Sequence, residues 1–348
     1  MDVLFFMKKL LIIALVIFLI STTFIACSKD VNNSPDNVSS VIVENSVTPE
    51  NCTHTYTESF DIKPRALDSG IKRFTCSICN YSYTESVPAT KTLKVLAFGN
   101  SFSIDAMDHL YGICKDAGVE NIVLGNLHIG GCSIARHVNN IEENIDDYTY
   151  YKNTTGSWTI SSMFTAKAAI EQEDWDIITI QQAPAVCGLS SSYTQLKTLI
   201  NYIKSTNPNA TIMWHMTWSY ARSCKTAGFE NYNKDQMTMY NAIINTTKQI
   251  ILPNSNIDYI IPVGTTIQNI RTSYLGDNLN RNDGYHLNVG IGRYAAALTW
   301  YSVLTGGSVD NITYVPDKYP EIKDHLKVIK ESVNNALNSS YSVTQSKY

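Results

Sequence analysis

Several absences narrow this sequence before any motif is weighed. Lysine and arginine number 27 against 31 aspartate and glutamate, for a formal net charge of -4, so there is no basic field of the kind that draws a protein to nucleic acid. There is no Gly-x-x-x-x-Gly-Lys loop, which removes the P-loop nucleotide hydrolases. Gly290-x-Gly292 lacks the third glycine and the preceding strand of a dinucleotide fingerprint. No His-Glu-x-x-His occurs, and no Gly-x-Ser-x-Gly elbow surrounds any serine, which argues against the α/β-hydrolase fold. The longest apolar run at the N-terminus, Leu10 to Ile20, is too short for a comfortable membrane span. What is present is an ordinary globular composition, 44% hydrophobic and 17% charged over 348 residues, enough for one sizeable core and a small extra module.

The first residues read as a targeting segment. Lys8 and Lys9 precede the apolar run, and Ala26-Cys27 closes it. That ending resembles the lipobox of bacterial lipoproteins. The resemblance implies cleavage after residue 26, lipidation of Cys27 and an extracytoplasmic chain held at the bacterial cell membrane. Residues 27–50, rich in Asn, Ser, Val and Pro, then read as a flexible tether.

Residues 51–90 carry a different signal. Cys52-x-His54 and Cys76-x-x-Cys79 place four soft or borderline ligands in a stretch too short to bury its own core, and a tetrahedral zinc ion would supply the missing staple. The spacing is not that of a standard finger, and secretion equally permits a Cys76–Cys79 or other disulfide, or free thiols. The segment resembles small repeats of clostridial and related cell-surface proteins, which implies a structural or adhesive role.

From residue 91 to 340 short apolar runs alternate with amphipathic helical patterns. Leu93–Phe98, Asn121–Asn126, Asp176–Ile180, Ala210–Trp214 and Asp258–Ile261 read as strands buried on both faces. Leu196, Leu199, Ile200 and Ile203, and later Tyr294, Ala297, Leu298 and Tyr301, repeat at helical spacing. This alternation predicts a three-layer α/β/α sandwich around a five-stranded parallel sheet. Ile104, Met107, Leu110, Tyr111 and Cys114 predict one helix closed by Gly118. Asn139–Ser161, polar and aromatic without a period, reads as a long loop. Ile322–Leu337 reads as a last helix, and Asn338–Tyr348 as frayed.

In such a sheet, residues that follow strands meet at the carboxyl edge. Ser101 follows the first strand, Gly130-Gly131 the second and Gln181-Gln182 the third, while Asp283-Gly284-Tyr285-His286 precedes a late helix. A serine hydroxyl is a weak nucleophile and needs a base, which His286 can supply, with Asp283 holding its other ring nitrogen. Turn amides and a glutamine carboxamide can receive a developing oxyanion. His215 ends the fourth strand, as a pocket wall or a buried core histidine. Arg271 reads as a substrate contact or a solvated side chain, and Asn100 lies beside the expected nucleophile.

Gly99-Asn100-Ser101-Phe102-Ser103 together with Asp283-x-x-His286 resembles the SGNH (GDSL-like) hydrolase superfamily, from about residue 93 to 306. The resemblance is to a bacterial branch with a Gly-Asn-Ser-Phe block and a Gln-Gln third block. It implies a flavodoxin-like fold, Ser101 as nucleophile, His286 as base, Asp283 as its orienter, and an oxyanion hole from Gly131 and from Gln182 or Gln181. Asn100 stands where the superfamily usually has Asp, and the glutamines where it has Asn. The expected activity is that of a serine esterase needing no cofactor for catalysis and acting on an acylated carbohydrate or another small ester. The competing expectation is a surface protein that holds a glycan or the cell wall without catalysis.

Overall fold

A computed structural model describes residues 49–348. The expected signal, Cys27 and the tether as far as residue 48 lie outside the described residues. Among the described residues no helix is long and apolar enough to cross a membrane. The chain divides into two compact units, one formed by the residues up to Thr57 with Thr75–Ser82, the other by Glu58–Phe74 with Tyr83–Tyr348. The expected module at 51–90 therefore gives its two Cys/His-bearing stretches to the smaller unit and the rest to the larger. Its strands β1 (Tyr56–Ile62), β2 (Gly70–Cys76) and β3 (Ser82–Val87) form a sheet in that order.

The larger unit continues through β4 (Thr92–Gly99), α1 (Ser101–Met107), α2 (Leu110–Asp116), β5 (Asn121–His128), α3 (Ile134–Glu142), β6 (Tyr148–Asn153), β7 (Trp158–Phe164), α4 (Ala166–Ile170) and β8 (Ile177–Ile180). It ends with α5 (Leu196–Thr206), β9 (Thr211–His215), α6 (Gln236–Thr246), β10 (Tyr259–Ile261), α7 (Val263–Ile270), α8 (Ile291–Thr305) and α9 (Ile322–Asn338). All five expected strands are present and parallel, in the order β10-β9-β8-β4-β5. They are apolar because helices cover them: β8, Ile-Ile-Thr-Ile, is buried throughout, and the helices gather in two groups, α1, α2, α7, α8 and α9 in one and α3, α4 and α5 in the other.

The sheet is seven-stranded and mixed, which corrects the expectation of five parallel strands. Beyond β5 the antiparallel pair β6 and β7 extends one edge. These residues fall in the stretch read as a loop, where the alternation was masked because its buried members are tyrosines. Tyr148 and Tyr150 point inward, and Tyr150 stacks on Phe164 at 4.7 Å between ring centroids.

Two further expectations are corrected. The helix after β4 is broken into α1 and α2 at Asp108-His109. There Arg293 Nη1 reaches Asp108 Oδ2 at 3.1 Å, and His109 Nε2 lies 2.7 Å from the Val289 carbonyl. Gly118 is left-handed beyond the end of α2, with φ 86°, as its place in the pattern required. The C-terminal residues are docked instead of frayed. Thr265 Oγ1 donates to the Ser340 carbonyl at 2.6 Å, and Asn269 Oδ1 accepts from the Thr344 amide at 2.7 Å. Tyr341 and Val343 pack on the core. Polar side chains of α7 thus hold a segment whose own composition is that of a loop.

Deleting residues 341–348 should therefore destabilise the fold by about 2 kcal/mol or more, from the lost apolar cover and the buried carboxamide of Asn269 left short of a partner. Urea unfolding measures this, and an unchanged midpoint would show that the tail is passive.

Candidate functional site

The carboxyl edge of β4 is built by one tight turn. Gly99 passes so close to the Ser103 side chain that a Cβ there would lie 1.9 Å from Ser103 Oγ, so no other residue fits without moving the turn. Asn100 follows as the cap of α1, fully buried, its Oδ1 accepting from the Phe102 amide at 3.0 Å. This geometry sets Ser101 at the first helical position, half-buried at the sheet edge.

A row of carboxamides links this turn to its neighbours. Asn100 Nδ2 donates to the Cys132 carbonyl after β5 at 3.1 Å. Gln181 Nε2, after β8, donates to Asn100 Oδ1 at 2.6 Å, and Gln181 Oε1 lies 2.6 Å from His215 Nδ1 at the end of β9. Four strand ends are tied in one line. His215 is buried and neutral, burial pushing its imidazole down to about 3, so Nδ1 carries the proton that Gln181 accepts.

The second glutamine is fully engaged as well. Gln182 Nε2 donates to the Ser192 carbonyl at 2.7 Å and its hydroxyl at 3.1 Å, while Oε1 accepts from the amides of Ile134 and Ala183. Both glutamine side chains thus hold loops together. Gly131 differs. It occupies the left-handed position, φ 63°, of a turn closed by Cys132 N donating to the Ile129 carbonyl at 3.1 Å, and an added Cβ at Gly130 or Gly131 would meet nothing within 4 Å. Open space lies in front of this turn.

Asp283 and His286 form a closed pair. His286 Nδ1 lies 2.8 Å from Asp283 Oδ2, and Asp283 Oδ1 accepts from the amides of Tyr285 and His286, each at 3.0 Å. Partial burial pushes the Asp283 carboxyl up, but the imidazole N–H and the two amides outweigh it and hold the group below its ordinary value. A carboxylate on Nδ1 selects the tautomer that leaves Nε2 with the lone pair.

Two devices hold this pair against α1. The Leu287 amide donates to Asp105 Oδ2 at 2.8 Å, and Arg293 pairs with Asp105 Oδ1 at 2.7 Å. Trp218 stacks on Phe102, centroids 4.0 Å apart and planes within 6°, while its indole N–H donates to the Tyr285 carbonyl at 2.8 Å. The Phe102 ring in turn meets the His286 ring edge-on at 6.1 Å. Ser101, Asp283 and His286 are therefore gathered at one side of the sheet. Asp105, Arg293 and the bridging role of Trp218 had no motif to announce them; the one signal was an acidic residue on the buried face of an otherwise apolar helix.

One turn along α1 from Ser101, Ile104 lines a cleft of about 230 Å³ together with Asp108 at the end of that helix, Asn126, Tyr151, Trp158 and Ile160. The β6–β7 pair supplies its outer wall through Tyr151, Trp158 and Ile160. A larger cavity of about 600 Å³ lies at the opposite edge, lined by Thr92, Ile177, Thr211 and Tyr259 at the beginnings of strands. Its size does not make it the site, because the reactive groups are at the other end of the sheet.

Arg271 is buried and lines neither of these two clefts. Its Nη atoms donate to Ser219, Gln268 and Asn280 at 2.9–3.0 Å, and Nε pairs with Asp277 at 2.8 Å. It braces the loop after β9 against the loop before Asp283. Cys114, Cys132, Cys187 and Cys224 are buried core residues. In the smaller unit the donor atoms of Cys52, His54, Cys76 and Cys79 all lie within 4.8 Å of one another.

The buried histidines give the site a pH signature. Burial pushes both His215 and His137 from the ordinary 6.5 to about 3, so the unfolded chain binds protons that the folded chain does not. Their stabilising contribution is complete above pH 6.5 and falls below it, by about 1.4 kcal/mol per pH unit for each. Asp105, which burial pushes up to about 6 against the pull of Arg293, opposes one of them at lower pH. Unfolding free energy in urea should therefore drop between pH 7.5 and 5, and His215→Gln should flatten that slope. A wild-type profile without slope would contradict neutral burial.

A family model described as a domain of unknown function, DUF4886, matches residues 94–334. The crystal structure of a DUF4886 family protein from Bacteroides uniformis is 41% identical, covers 73% of this chain and 98% of its own, and superposes with a TM-score of 0.69. A protein from Slackia heliotrinireducens, provisionally assigned as an SGNH hydrolase, is 18% identical, with coverage of 62% of this chain and 100% of its own and a TM-score of 0.41. An acetyl xylan esterase is 12% identical, with coverage of 61% and 100% and a TM-score of 0.39. Likenesses as weak as these last two carry no conclusion about activity. No curated protein matches the chain. The family model spans well over half of the sequence and the Bacteroides uniformis structure is similar over almost its whole length: the chain belongs to the DUF4886 family.

Proposed function

We propose that the protein is a serine esterase, with Ser101 as nucleophile, His286 as general base and Asp283 as the group that orients it. The observation that carries this reading is the Asp283–His286 pair at 2.8 Å, pinned to the helix that begins at Ser101 through Leu287 and Asp105. A surface turn has no need of a buried carboxylate, an arginine and a tryptophan to hold its histidine. An inert glycan-holding surface protein has no need of that pair either.

The chemistry follows from the groups present. His286 Nε2 removes the Ser101 proton as Oγ attacks the ester carbonyl, and Asp283 stabilises the imidazolium that forms. The tetrahedral oxyanion is received by backbone amides at Ser101 and Gly131. Gln181 and Gln182 act behind them, fixing the Asn100 turn and the Ile134 amide next to the Gly131 turn. Losing one such donor costs roughly 2.7–4 kcal/mol of transition-state stabilisation. The tetrahedral intermediate collapses with loss of the alcohol, protonated by His286, leaving the acyl group on Ser101. Water, deprotonated by His286, then cleaves the acyl-serine and restores the site.

The cleft along Ile104, Trp158 and Ile160 accepts the acyl group in this reading, and its modest volume suits a short chain. The proposed setting is extracytoplasmic, at the membrane through lipidated Cys27, and the proposed substrate class is an O-acylated glycan. That part rests on the sequence of residues 8–27 and on the resemblance of the Ser101 and Asp283–His286 motifs.

Hydrolysis of aryl acetate and butyrate and of acetylated sugars tests the reading. Ser101→Ala and His286→Ala should each lower kcat by about 10³-fold or more, and Asp283→Asn by about 10²- to 10⁴-fold, with folding unchanged by circular dichroism. Equal rates in wild type and all three variants would leave only the non-catalytic binding protein.

A further inference from the structure

We propose that Cys52, His54, Cys76 and Cys79 bind one structural zinc ion, through three thiolate sulfurs and Nδ1 of His54. The sequence alone left a disulfide open, and the geometry separates the two. A tetrahedral zinc has Zn–S bonds of about 2.3 Å and Zn–N bonds of about 2.0–2.1 Å, so neighbouring sulfurs stand about 3.8 Å apart and sulfur and nitrogen about 3.6 Å. Cys52 Sγ lies 3.7 Å from Cys76 Sγ, and Cys79 Sγ lies 3.5 Å from His54 Nδ1. A disulfide would bring two sulfurs to about 2.05 Å and leave the third thiol and the imidazole without a function.

The backbone around Cys76 is shaped for a metal-bound thiolate. The Ile78 amide points at Cys76 Sγ at 3.4 Å, and the Asn80 amide donates to the Cys76 carbonyl at 3.0 Å. Asn80 is left-handed, φ 61°, which turns the chain back after Cys79 so that both sulfurs of the Cys-x-x-Cys step face the same point. The Ser77 amide donates to the Thr55 carbonyl at 2.9 Å, fastening this turn to the stretch that carries Cys52 and His54. The His54 ring lies between Tyr56 and Tyr81, at 5.3 and 5.5 Å between centroids, which fixes the direction of Nδ1.

Burial supplies the energetic reason. Among the described residues of this unit Cys76 is the one buried side chain, while Ile78 is 52% and Tyr81 46% exposed. Such a unit has no apolar core to offset the entropy of ordering it, and metal coordination is what remains to do so. Four protein ligands close the coordination sphere, so the ion is structural and takes no part in the chemistry at Ser101.

The full chain, purified without chelator, should contain about one zinc per molecule by plasma mass spectrometry. Exchange with cobalt(II) alone should produce the intense visible bands of a tetrahedral thiolate site together with sulfur-to-metal charge transfer. Cys79→Ser should lower zinc content at least several-fold and weaken the charge-transfer band, while Cys224→Ser leaves both unchanged. Zinc below about a tenth of an equivalent with no tetrahedral cobalt spectrum would overturn the proposal, as would a Cys52–Cys76 or Cys76–Cys79 disulfide found by peptide mapping without reductant. The esterase reading does not depend on this result.

Discussion

The site rests on the carboxylate of Asp105. It is 1% exposed, and burial pushes its pKa up to about 6 even against the pull of Arg293 and the Leu287 amide, so the fold bears an electrostatic cost to keep it. Two partners offset that cost, Arg293 on one oxygen and the Leu287 amide on the other. Both belong to the segment that carries His286, which lies 182 residues along the chain at Leu287. A hydrophobic residue at position 105 would pack in α1 without penalty, but nothing would then hold the histidine loop to the helix of Ser101. The arrangement sacrifices stability for position, as polar groups buried at functional sites commonly do.

The same logic runs across the strand ends. Adjacent strands are held about 4.8 Å apart by their ladder of backbone hydrogen bonds, and past the strand ends that ladder no longer joins them. Asn100, Gln181 and His215 cross the gaps with side chains, each accepting from or donating to the next. A neutral carboxamide at position 100 adds no second buried negative charge near Asp105. The longer glutamine at 181 spans from the Asn100 turn to His215, which a shorter asparagine would leave apart. The departures at 100 and 181 therefore form one self-consistent network, while an added Cβ in the Gly130-Gly131 loop would meet nothing within 4 Å.

The five parallel strands were legible in the sequence because two-sided burial leaves a plain record: short runs of Val, Ile and Leu that end in polar residues. The β6–β7 pair was not, because tyrosine hides its alternation. The break between α1 and α2 was not either, since its cause is a pair of contacts from residues near 290. For the site, Ser101, Asp283 and His286 could be singled out because each sits in a local motif. In the sequence Gln182 reads as an oxyanion donor and Arg271 as a substrate contact or a solvated side chain, because a buried strut uses the same functional groups, and only their partners, Ser192 with Ile134 and Ser219 with Asp277, distinguish it. Long-range ion pairs such as Asp105–Arg293 leave no local trace at all.

The central claim is that Ser101 is made nucleophilic by the Asp283–His286 pair. Reaction with a fluorophosphonate tests it directly, since Ser101 Oγ would form the bond to phosphorus as fluoride leaves, and no knowledge of the natural ester is needed. Intact-mass spectrometry should show a single adduct, peptide mapping should locate it on Ser101, and His286→Ala should abolish it under the same conditions. No adduct on the folded wild-type chain, or an adduct on Ser101 that forms equally fast in His286→Ala, would contradict the account.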